Sequence, residues 1–527
     1  MAFNTLTFVM FFVIVLIGYY IVPKKIKWLF LLLVSYFFYL YASIKFAFFI
    51  LLTTISSYFA AIWISNLHSK EKTELQDVQK DKKKKIKADF KKKKRAILIG
   101  ILILNFGILL FLKYFNFFSE NLNQLLESLS MNGRSPTFNL ILPLGISFYT
   151  FQTMSYVIDV YWGKVTAERN FGKVALFVSF FPQILEGPIG RFHDLAPQLY
   201  EGRKLEYQNL KAGMQLILWG YFKKMVIADR VAIIADYVFQ HYMQISGAGV
   251  IVGVFMYAIQ DYTDFSGCID IARGCAKAMG INMAENFRRP YFSKTVSEFW
   301  RRWHITLGAW MKDYVFYPFS LTKGMRNLGK FAKKHFGKSI GRTLPIALGN
   351  ILVFFLVGVW HGANWNYIIW GLFYGILIAV SGLLKPVFTW VNEKLKINTK
   401  SFLFQGFQIF RTFYITCLGC IIFRASDLNI AWDVFRKTWR IWDIPSNFNS
   451  ELLTFGVNKA NYIVLLISLI ILFIVDVLQE KGKAGESLER KPFVVRYAIY
   501  LVLFTAIILF GVYGSGYNQS QFVYMQF

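Results

Sequence analysis

Long apolar runs recur along the whole chain and constrain its fold more than any other feature. Many of them extend over about 18 or more mostly apolar residues, the length that a helix needs to cross a hydrocarbon core of about 30 Å. Of the 527 residues, 56% are hydrophobic, whereas soluble domains usually contain about 45–50% apolar residues. The sequence therefore predicts an all-α polytopic membrane protein, with about 11 or more transmembrane helices and some short re-entrant or interfacial helices.

Positive charge in the loops predicts how these helices are oriented. The formal net charge is +29, and residues 69–95 include the lysine runs 82–85 and 91–94. Such a block fits either a patch for nucleic acid or anionic lipid, or a solvated cytoplasmic loop. The positive-inside rule favours the loop, so we expect membrane lipid and no nucleic acid among the partners. With this loop inside the cell, a multi-pass plasma-membrane protein with extracytoplasmic N- and C-termini is predicted.

Some segments do not fit a plain membrane span. Pro143 and Gly145 lie near the start of residues 139–162, which indicates a broken or re-entrant helix. Residues 175–185 are too short to cross a bilayer. Residues 260–323 mix charged and aromatic side chains without a long apolar run. This region fits a large soluble loop, or a polar pathway built from short helices at the membrane interface, and its aromatic residues favour the short helices.

We expect residues 1–527 to form a single integral membrane domain. Residues 1–425 are its predicted core, including the basic loop 69–95, and residues 426–527 add an external loop and two further transmembrane helices. Residues 113–138 are expected to form another external loop. The sequence contains no visible internal repeat, which argues against a transporter built from two inverted halves.

A histidine interrupts the apolar stretch at residues 345–375. His361 follows Trp360 and precedes Gly362, and the apolar run then resumes. An ionisable side chain in hydrocarbon costs free energy unless it faces protein or a water-filled cavity, so such a residue indicates a functional site. The alternative is a packing histidine held between Trp360 and Trp365.

A second histidine, His304, lies in a stretch rich in tryptophan and arginine. Continuous helical spacing would place five side chains on one face: Trp300, Trp303, His304, Leu307 and Trp310. Arg301 and Arg302 would then point elsewhere, towards lipid phosphate or one of three acidic residues: Asp264, Asp270 and Glu285. Ordinary interfacial anchoring is the alternative. We interpret His304 and His361 as parts of one site.

The residue types around the two histidines favour acyl transfer. The sequence lacks a Ser-x-x-Lys or Gly-x-Ser-x-Gly nucleophile, and it has no glycine-rich phosphate loop. A neutral imidazole can accept a proton from a hydroxyl that attacks an acyl carbonyl, and burial favours this neutral form. Cys417 and Cys420 have Cys-x-x-Cys spacing, but they lie inside an apolar run without a second pair, so we expect no metal.

Six motifs resemble the membrane-bound O-acyltransferase (MBOAT) family, and within it the alginate O-acetyltransferase (AlgI) type. They are residues 142–159 (LPLGISFYTFQTMSYVID), 181–191 (FPQILEGPIGR), 264–270 (DFSGCID), 285–291 (ENFRRPY), 299–317 (FWRRWHITLGAWMKDYVFY) and 359–370 (VWHGANWNYIIW). The similarity covers roughly residues 1–425. The joint occurrence of WRRWH and WHG at this spacing is its most specific part.

The resemblance implies an acyltransferase with membrane helices around a central pore. The family's catalytic histidine matches His361, as general base or acyl relay, and its second characteristic histidine matches His304. The resemblance also implies acetyl-CoA or another acyl thioester as cytoplasmic donor, and an extracytoplasmic acceptor. An SGNH-type acyltransferase and a polysaccharide biosynthesis or export complex are the expected partners. A relative that transfers D-alanyl groups to teichoic acid, of the DltB type, is the more distant match.

Six further residues are predicted to line the pore or the substrate site, with a structural role as the alternative for each: Trp303, Asp264, Glu285, Arg301, Trp360 and Asn364. A proton-coupled or polysaccharide transporter and a membrane scaffold for a separate enzyme are the rival functions.

Overall fold

The computed structural model describes residues 1–76, 79–131, 133–482, 488 and 490–513. Within these ranges the regular secondary structure is helical and no strand occurs. The predicted extracytoplasmic C-terminus lies at residues 514–527, outside the described residues. The described chain forms two compact units, residues 1–214 with 272–284, and residues 215–271 with 285–527.

The first unit begins with three apolar helices at the spans that the sequence predicts, about residues 5–22, 28–43 and 46–65, and it continues with the long α4 and four shorter helices. Their bounds are α1 Leu6–Ile21, α2 Lys27–Ala42, α3 Ala47–Glu74, α4 Lys80–Ser128, α5 Ile146–Tyr161, α6 Phe171–Ser179, α7 Phe181–Ile184 and α8 Phe192–Glu201. Thr5 caps α1 by accepting a hydrogen bond from the Phe8 amide, and Pro23 follows the end of α1, where a helix cannot readily continue.

Helix α4 corrects two expectations about loops. It spans 49 residues without interruption, so the lysine-rich segment predicted as a loop is helical from Lys80. The helix also continues to Ser128, so the first part of the expected external loop 113–138 is helical. Lys94 is buried at the α3–α4 contact, where its Nζ lies 2.6 Å from Glu71 Oε2. Lysine has a high helix propensity, and this ion pair joins the basic part of α4 to α3.

The predicted interruption near Pro143 is confirmed by the start of α5. Gly145 has φ +72°, and α5 begins directly after it. A side chain at Gly145 would meet the backbone carbonyl of Ile184, so glycine is required there both for the positive φ and for the close approach. Helix α5 is buried along nearly its whole length.

The second unit contains the remaining helices of the chain. Helix α9, Tyr207–Tyr221, and helix α11, Gly247–Ala278, have residues in both units, and α10 is Asp229–His241. The others are α12 Val296–Arg302, α13 Ile305–Met311, α14 Tyr317–Ser320, α15 Lys323–His361, α16 Trp365–Leu383, α17 Lys385–Lys394, α18 Phe402–Arg424, α19 Leu428–Thr438, α20 Phe448–Leu453, α21 Lys459–Glu480 and α22 Phe493–Phe510.

Two of these helices differ from the sequence prediction. Helix α11 has 32 residues and extends to Ala278, well beyond residues 248–260, the apolar segment that the sequence predicts. It thus includes the first part of the polar region 260–323, which was expected to form short helices. The positive-inside rule predicts the basic residues 322–342 as a cytoplasmic loop. Helix α15 begins at Lys323 and turns at Gly337, where φ is +85°, so this stretch is largely helical as well.

Eight helices of the described residues are long and apolar enough to cross a membrane, and α1 is apolar but shorter. The eight include the whole of α3, α4, α15, α16, α18, α21 and α22, and the segment 24–42 that contains α2. The prediction of about 11 or more spans also counted apolar stretches in α5, α9 and α11. Helices α5 and α9 have 16 and 15 residues, and α11 carries three aspartates.

Candidate active site

His361 is the last residue of α15 and is surrounded by aromatic rings. Its side chain is buried. Its ring centroid lies 4.8 Å from Trp360, 5.0 Å from Trp370 on α16, and 5.1 Å from Phe423 on α18. The last two contacts are edge-to-face, a favourable geometry for aromatic pairs. Three helices therefore fix the position of this imidazole, and Gly362 ends α15 directly after it.

Trp360 links the two histidines that the sequence placed in one site. The centroid of the Trp360 ring system lies 6.0 Å from that of His304, in addition to its contact with His361. His304 also packs edge-to-face on Phe265 of α11, at 4.9 Å. Both histidines are almost completely buried. The structure thus brings His304, Trp360 and His361 together in the second unit.

The backbone at His304 corrects the expectation of one continuous helix. Helix α12 ends at Arg302, and His304 has φ +44° and ψ +53°, so the chain changes direction before α13 begins. A non-glycine residue in this left-handed region requires support from its surroundings. The five side chains predicted on one helical face therefore belong to two helices and the turn between them.

Asn286 supplies the support for this turn. Its side-chain Oδ1 lies 3.1 Å from Nδ1 of His304, 3.0 Å from the backbone nitrogen of Thr306 and 2.8 Å from Thr306 Oγ1. Its backbone carbonyl accepts a hydrogen bond from the Ile305 amide at 2.9 Å. Asn286 itself is completely buried. One asparagine thus contacts three consecutive residues, His304, Ile305 and Thr306.

Burial lowers the pKa of His304 to about 3. His304 lies in the turn between α12 and α13, outside the eight candidate membrane spans. The charged form of an imidazole loses its hydration when it is buried, so the neutral form is favoured. The neutral form of His304 is therefore favoured throughout the physiological pH range.

Asp264, predicted to face the substrate, is engaged in a buried ion-pair cluster. Its Oδ1 lies 2.5 Å from Nζ of Lys224, which also contacts Asp229 at 2.9 Å. The neighbouring Lys223 pairs with Asp270 at 2.8 Å. Both lysines belong to the π-helical segment Phe222–Ala228. A buried carboxylate is stabilised by a partner of opposite charge, so these contacts hold Asp264 within the cluster, and its place at the substrate site stays a prediction.

The arginines near the histidines do not meet the acidic residues that the sequence suggested. Arg302 pairs with Glu298 at 2.7 Å and with Glu480 at 2.9 Å. Arg301 is exposed. Glu285 is half-buried and pairs with Arg288 at 2.6 Å. Asp264 and Asp270 pair instead with Lys224 and Lys223.

Asn364 and Trp303 have clear local roles. Asn364 caps α16, where its side chain accepts a hydrogen bond from the Asn366 amide and its Nδ2 donates to the carbonyl of Ser426. Trp303 is buried and stacks on Phe299 at 5.5 Å. It also packs edge-to-face on Phe287 at 5.0 Å. Trp303 thus supports the turn that carries His304.

Sequence reasoning missed Asn286 and the aromatic residues that enclose the histidines on other helices. Phe265 and Phe423 lie far from both histidines along the chain, so only the tertiary fold brings them together. Asn286 occurs within the quoted motif ENFRRPY, but the sequence contains no signal that pairs it with His304, 18 residues later.

No group of three or more His, Cys, Asp or Glu side chains is arranged to hold a metal ion in the part of the chain that the structure describes. Cys417 and Cys420 lie on α18 and do not form a disulfide. The two enclosed imidazoles of the described site are groups that can accept, hold or donate a proton.

Comparison with known proteins agrees with this chemistry. A sequence profile of the MBOAT, membrane-bound O-acyltransferase family, matches residues 167–394, a range that contains both histidines. A probable alginate O-acetylase AlgI of Pseudomonas syringae pv. tomato is 32% identical over 490 residues, which cover 92% of this chain and 85% of the relative.

Two other relatives have different names. A peptidoglycan O-acetyltransferase of Helicobacter pylori is 31% identical, over 82% of this chain and 79% of the relative. A teichoic acid D-alanyltransferase of Bacillus subtilis is also 31% identical, but the similarity covers 56% of this chain and 71% of the relative. All three names describe the transfer of an acyl group.

Proposed function

Because this chain belongs to the membrane-bound O-acyltransferase family, we propose that it transfers acetyl groups from a cytoplasmic thioester to hydroxyls of an extracytoplasmic polysaccharide. The observation that carries the proposal is the pair of buried histidines joined by Trp360, in a chain whose relatives are named as polysaccharide O-acetylases. Acetyl-CoA or another acyl thioester is the proposed donor.

His361 is the proposed general base. The oxygen of the acceptor hydroxyl attacks the thioester carbonyl, a carbon–oxygen ester bond forms and the carbon–sulfur bond breaks. His361 takes the hydroxyl proton during the attack, and the proton then passes to the leaving thiolate. A positioned base of this kind contributes about 10²–10⁴-fold in rate. The aromatic rings around His361 exclude bulk water, which reduces hydrolysis of the thioester.

The proposal extends to location and partners. The proposed location is the plasma membrane, with extracytoplasmic termini. The thioester donor would then reach the protein from the cytoplasmic face and the polymer from the opposite face. An SGNH-type acyltransferase and a polysaccharide export complex are the proposed partners, and the former would receive the acetyl group or act on the same polymer. The resemblance stated for the sequence motifs supports this part of the proposal.

The test is the ester content of the cell-surface polymers with and without the gene. Mild alkaline release should yield less acetate from the polymers of a deletion strain than from those of the wild type, and re-expression should restore the amount. Equal acetate in both strains would contradict the proposal.

D-alanyl transfer to teichoic acid is the second proposed function, because one relative carries that name. It predicts that the deletion loses ester-linked alanine instead of acetate, so the same alkaline release distinguishes the two. If the protein were instead a scaffold or a transporter, the polymer esters should persist when His361 is replaced.

A further inference from the structure

We propose that Asn286 is a positioning residue that fixes the proton of His304 on Nδ1 and thereby presents Nε2 as a hydrogen-bond acceptor for a hydroxyl group of the substrate. This inference deepens the proposed function and rests on it for the identity of the hydroxyl. It assigns distinct roles to the two histidines: His361 moves the proton, and His304 holds an O–H group by accepting from it.

The first step of the argument concerns the atom of Asn286 that faces His304. The backbone nitrogen of Thr306 carries a hydrogen and can only donate, and it lies 3.0 Å from this atom. The atom must therefore be the carbonyl oxygen of the amide, not its nitrogen. The hydroxyl of Thr306, at 2.8 Å, donates to the same oxygen.

The second step concerns the imidazole. Because the Asn286 oxygen has no hydrogen, the contact at 3.1 Å requires that Nδ1 of His304 donates. A neutral imidazole carries one proton, so Nε2 then holds a lone pair and accepts hydrogen bonds. His304 is kept neutral by its burial, which excludes the doubly protonated ring at physiological pH.

The third step is that the same contacts fix the position of the ring. The Ile305 and Thr306 amides both bond to Asn286, so the turn with positive φ at His304 is tied to one buried residue. Phe265 and Trp360 pack on the imidazole from α11 and α15. Rotation of the ring to exchange Nδ1 and Nε2 would break the hydrogen bond to Asn286.

Several of the charged groups nearest in sequence on these elements are engaged in ion pairs. On α11, Asp264 pairs with Lys224; Asp261, the next carboxylate, lies one turn earlier. Beside Asn286, Glu285 pairs with Arg288. Next to the turn itself, Arg302 pairs with Glu298 and Glu480, and Arg301 is exposed. On α15 the titratable neighbour is His361, beyond Trp360.

The direct test is the ¹⁵N NMR spectrum of the histidines in the full-length protein in detergent, with the His304 signals identified by their loss in His304→Gln. We expect Nδ1 of His304 to be protonated and Nε2 to be unprotonated between pH 6 and pH 8. A protonated Nε2 with a bare Nδ1 would overturn the proposal. This measurement needs neither donor nor acceptor, so it fails or succeeds independently of the proposed function.

Asn286→Asp tests the role in the reaction without removing the acceptor oxygen. A carboxylate of the same shape keeps the contacts to Thr306 but stabilises the charged imidazolium. We expect the apparent pKa of His304 to rise by about one to three units. Protonation of His304 should then move the acidic limb of the polymer acetylation rate to higher pH, with activity recovering at alkaline pH.

Thr306→Val is the matched control, because it removes one donor to Asn286 but leaves the contact with His304. Its histidine spectrum and acidic limb should stay those of the wild type. If Asn286→Asp lowered activity equally at every pH, with an unchanged His304 spectrum, Asn286 would be a purely structural residue and the proposal would be wrong.

Discussion

At the scale of residues, the two imidazoles have different surroundings. His361 contacts aromatic rings from three helices, whereas His304 also has a hydrogen bond to Asn286. Because that hydrogen bond fixes one ring nitrogen of His304, we assign proton transfer to His361 and the holding of the substrate to His304.

The burial of His304 predicts a pH dependence of stability. Its pKa is lowered to about 3 in the folded chain, from an ordinary value of 6.5. The unfolded state therefore binds a proton that the folded state does not as the pH falls below about 6.5, and stability decreases by up to about 1.4 kcal/mol per pH unit from this group. Above this range the group has no effect.

Thermal unfolding in detergent, measured from pH 7.5 to pH 5, checks this prediction. His304→Gln should show a shallower loss of melting temperature on acidification than the wild type. His335→Gln is the control, because His335 lies on α15 with an exposed side chain, and it should keep the wild-type slope. An equally steep loss in His304→Gln would show that His304 titrates normally.

At the scale of elements, the position of His361 depends on the close approach of α15 and α16. A side chain at Gly358 would meet the carbonyl oxygen of Tyr367 and would lie 3.2 Å from the Cα of Gly371. Gly371 in turn faces the carbonyl of Phe354. Small residues at such a crossing let two helix backbones pack directly against each other.

Gly358→Ala should therefore destabilise the protein by about 1–3 kcal/mol and lower its activity, because the obstacle is backbone that cannot rotate away. Gly324→Ala on the same helix is the control: nothing lies within 4 Å of the added carbon, so stability should be unchanged or slightly higher. Melting temperature and polymer acetylation at matched membrane levels are the measurements. A Gly358→Ala variant as stable as Gly324→Ala would refute the close-packing account.

The sequence predicted these elements unevenly, for physical reasons. Apolar runs and the glycine at position 145 report directly on local structure, so α1, α2, α3 and the start of α5 were expected. The helical segments after Lys80 and Lys323 were expected to be loops. A high content of charged residues indicates that a segment is solvated and on which side of the membrane it lies, but it does not indicate the backbone conformation.

The site was predictable in its histidines but not in its supporting residues. His304 and His361 are polar groups in unusual surroundings, and their motifs are specific to a family. The non-helical turn at His304 depends on Asn286, and the pairing of Asp264 with Lys224 depends on a π-helical segment. Both contacts join residues far apart in sequence, which local periodicity cannot indicate.

At the scale of the whole molecule, the basic segments predict the topology. The net charge of +29 is concentrated in stretches such as the first part of α4, which the positive-inside rule assigns to the cytoplasm. With that orientation, residues 426–461 are predicted to be extracytoplasmic. This arrangement would give the thioester donor and the polymer access from opposite faces.

Single cysteines in a background without the four native ones check this orientation. Lys87→Cys on α4 should react with a membrane-impermeant thiol reagent only after the cells are opened. Ser450→Cys on α20 should react in intact cells. Both positions are exposed, so accessibility to the reagent is limited by the membrane alone. The reverse labelling pattern would invert the proposed topology.

The most direct test of the central claim is the polymer ester content of cells that carry His361→Gln, compared with wild type and with His335→Gln at equal amounts of membrane protein. If His361 is the general base, His361→Gln should lower the rate of ester formation by about 10²–10⁴-fold. The exposed His335 on the same helix should be replaceable without loss. Wild-type ester content in His361→Gln would contradict the assignment of this histidine, and with it the proposed chemistry of the site.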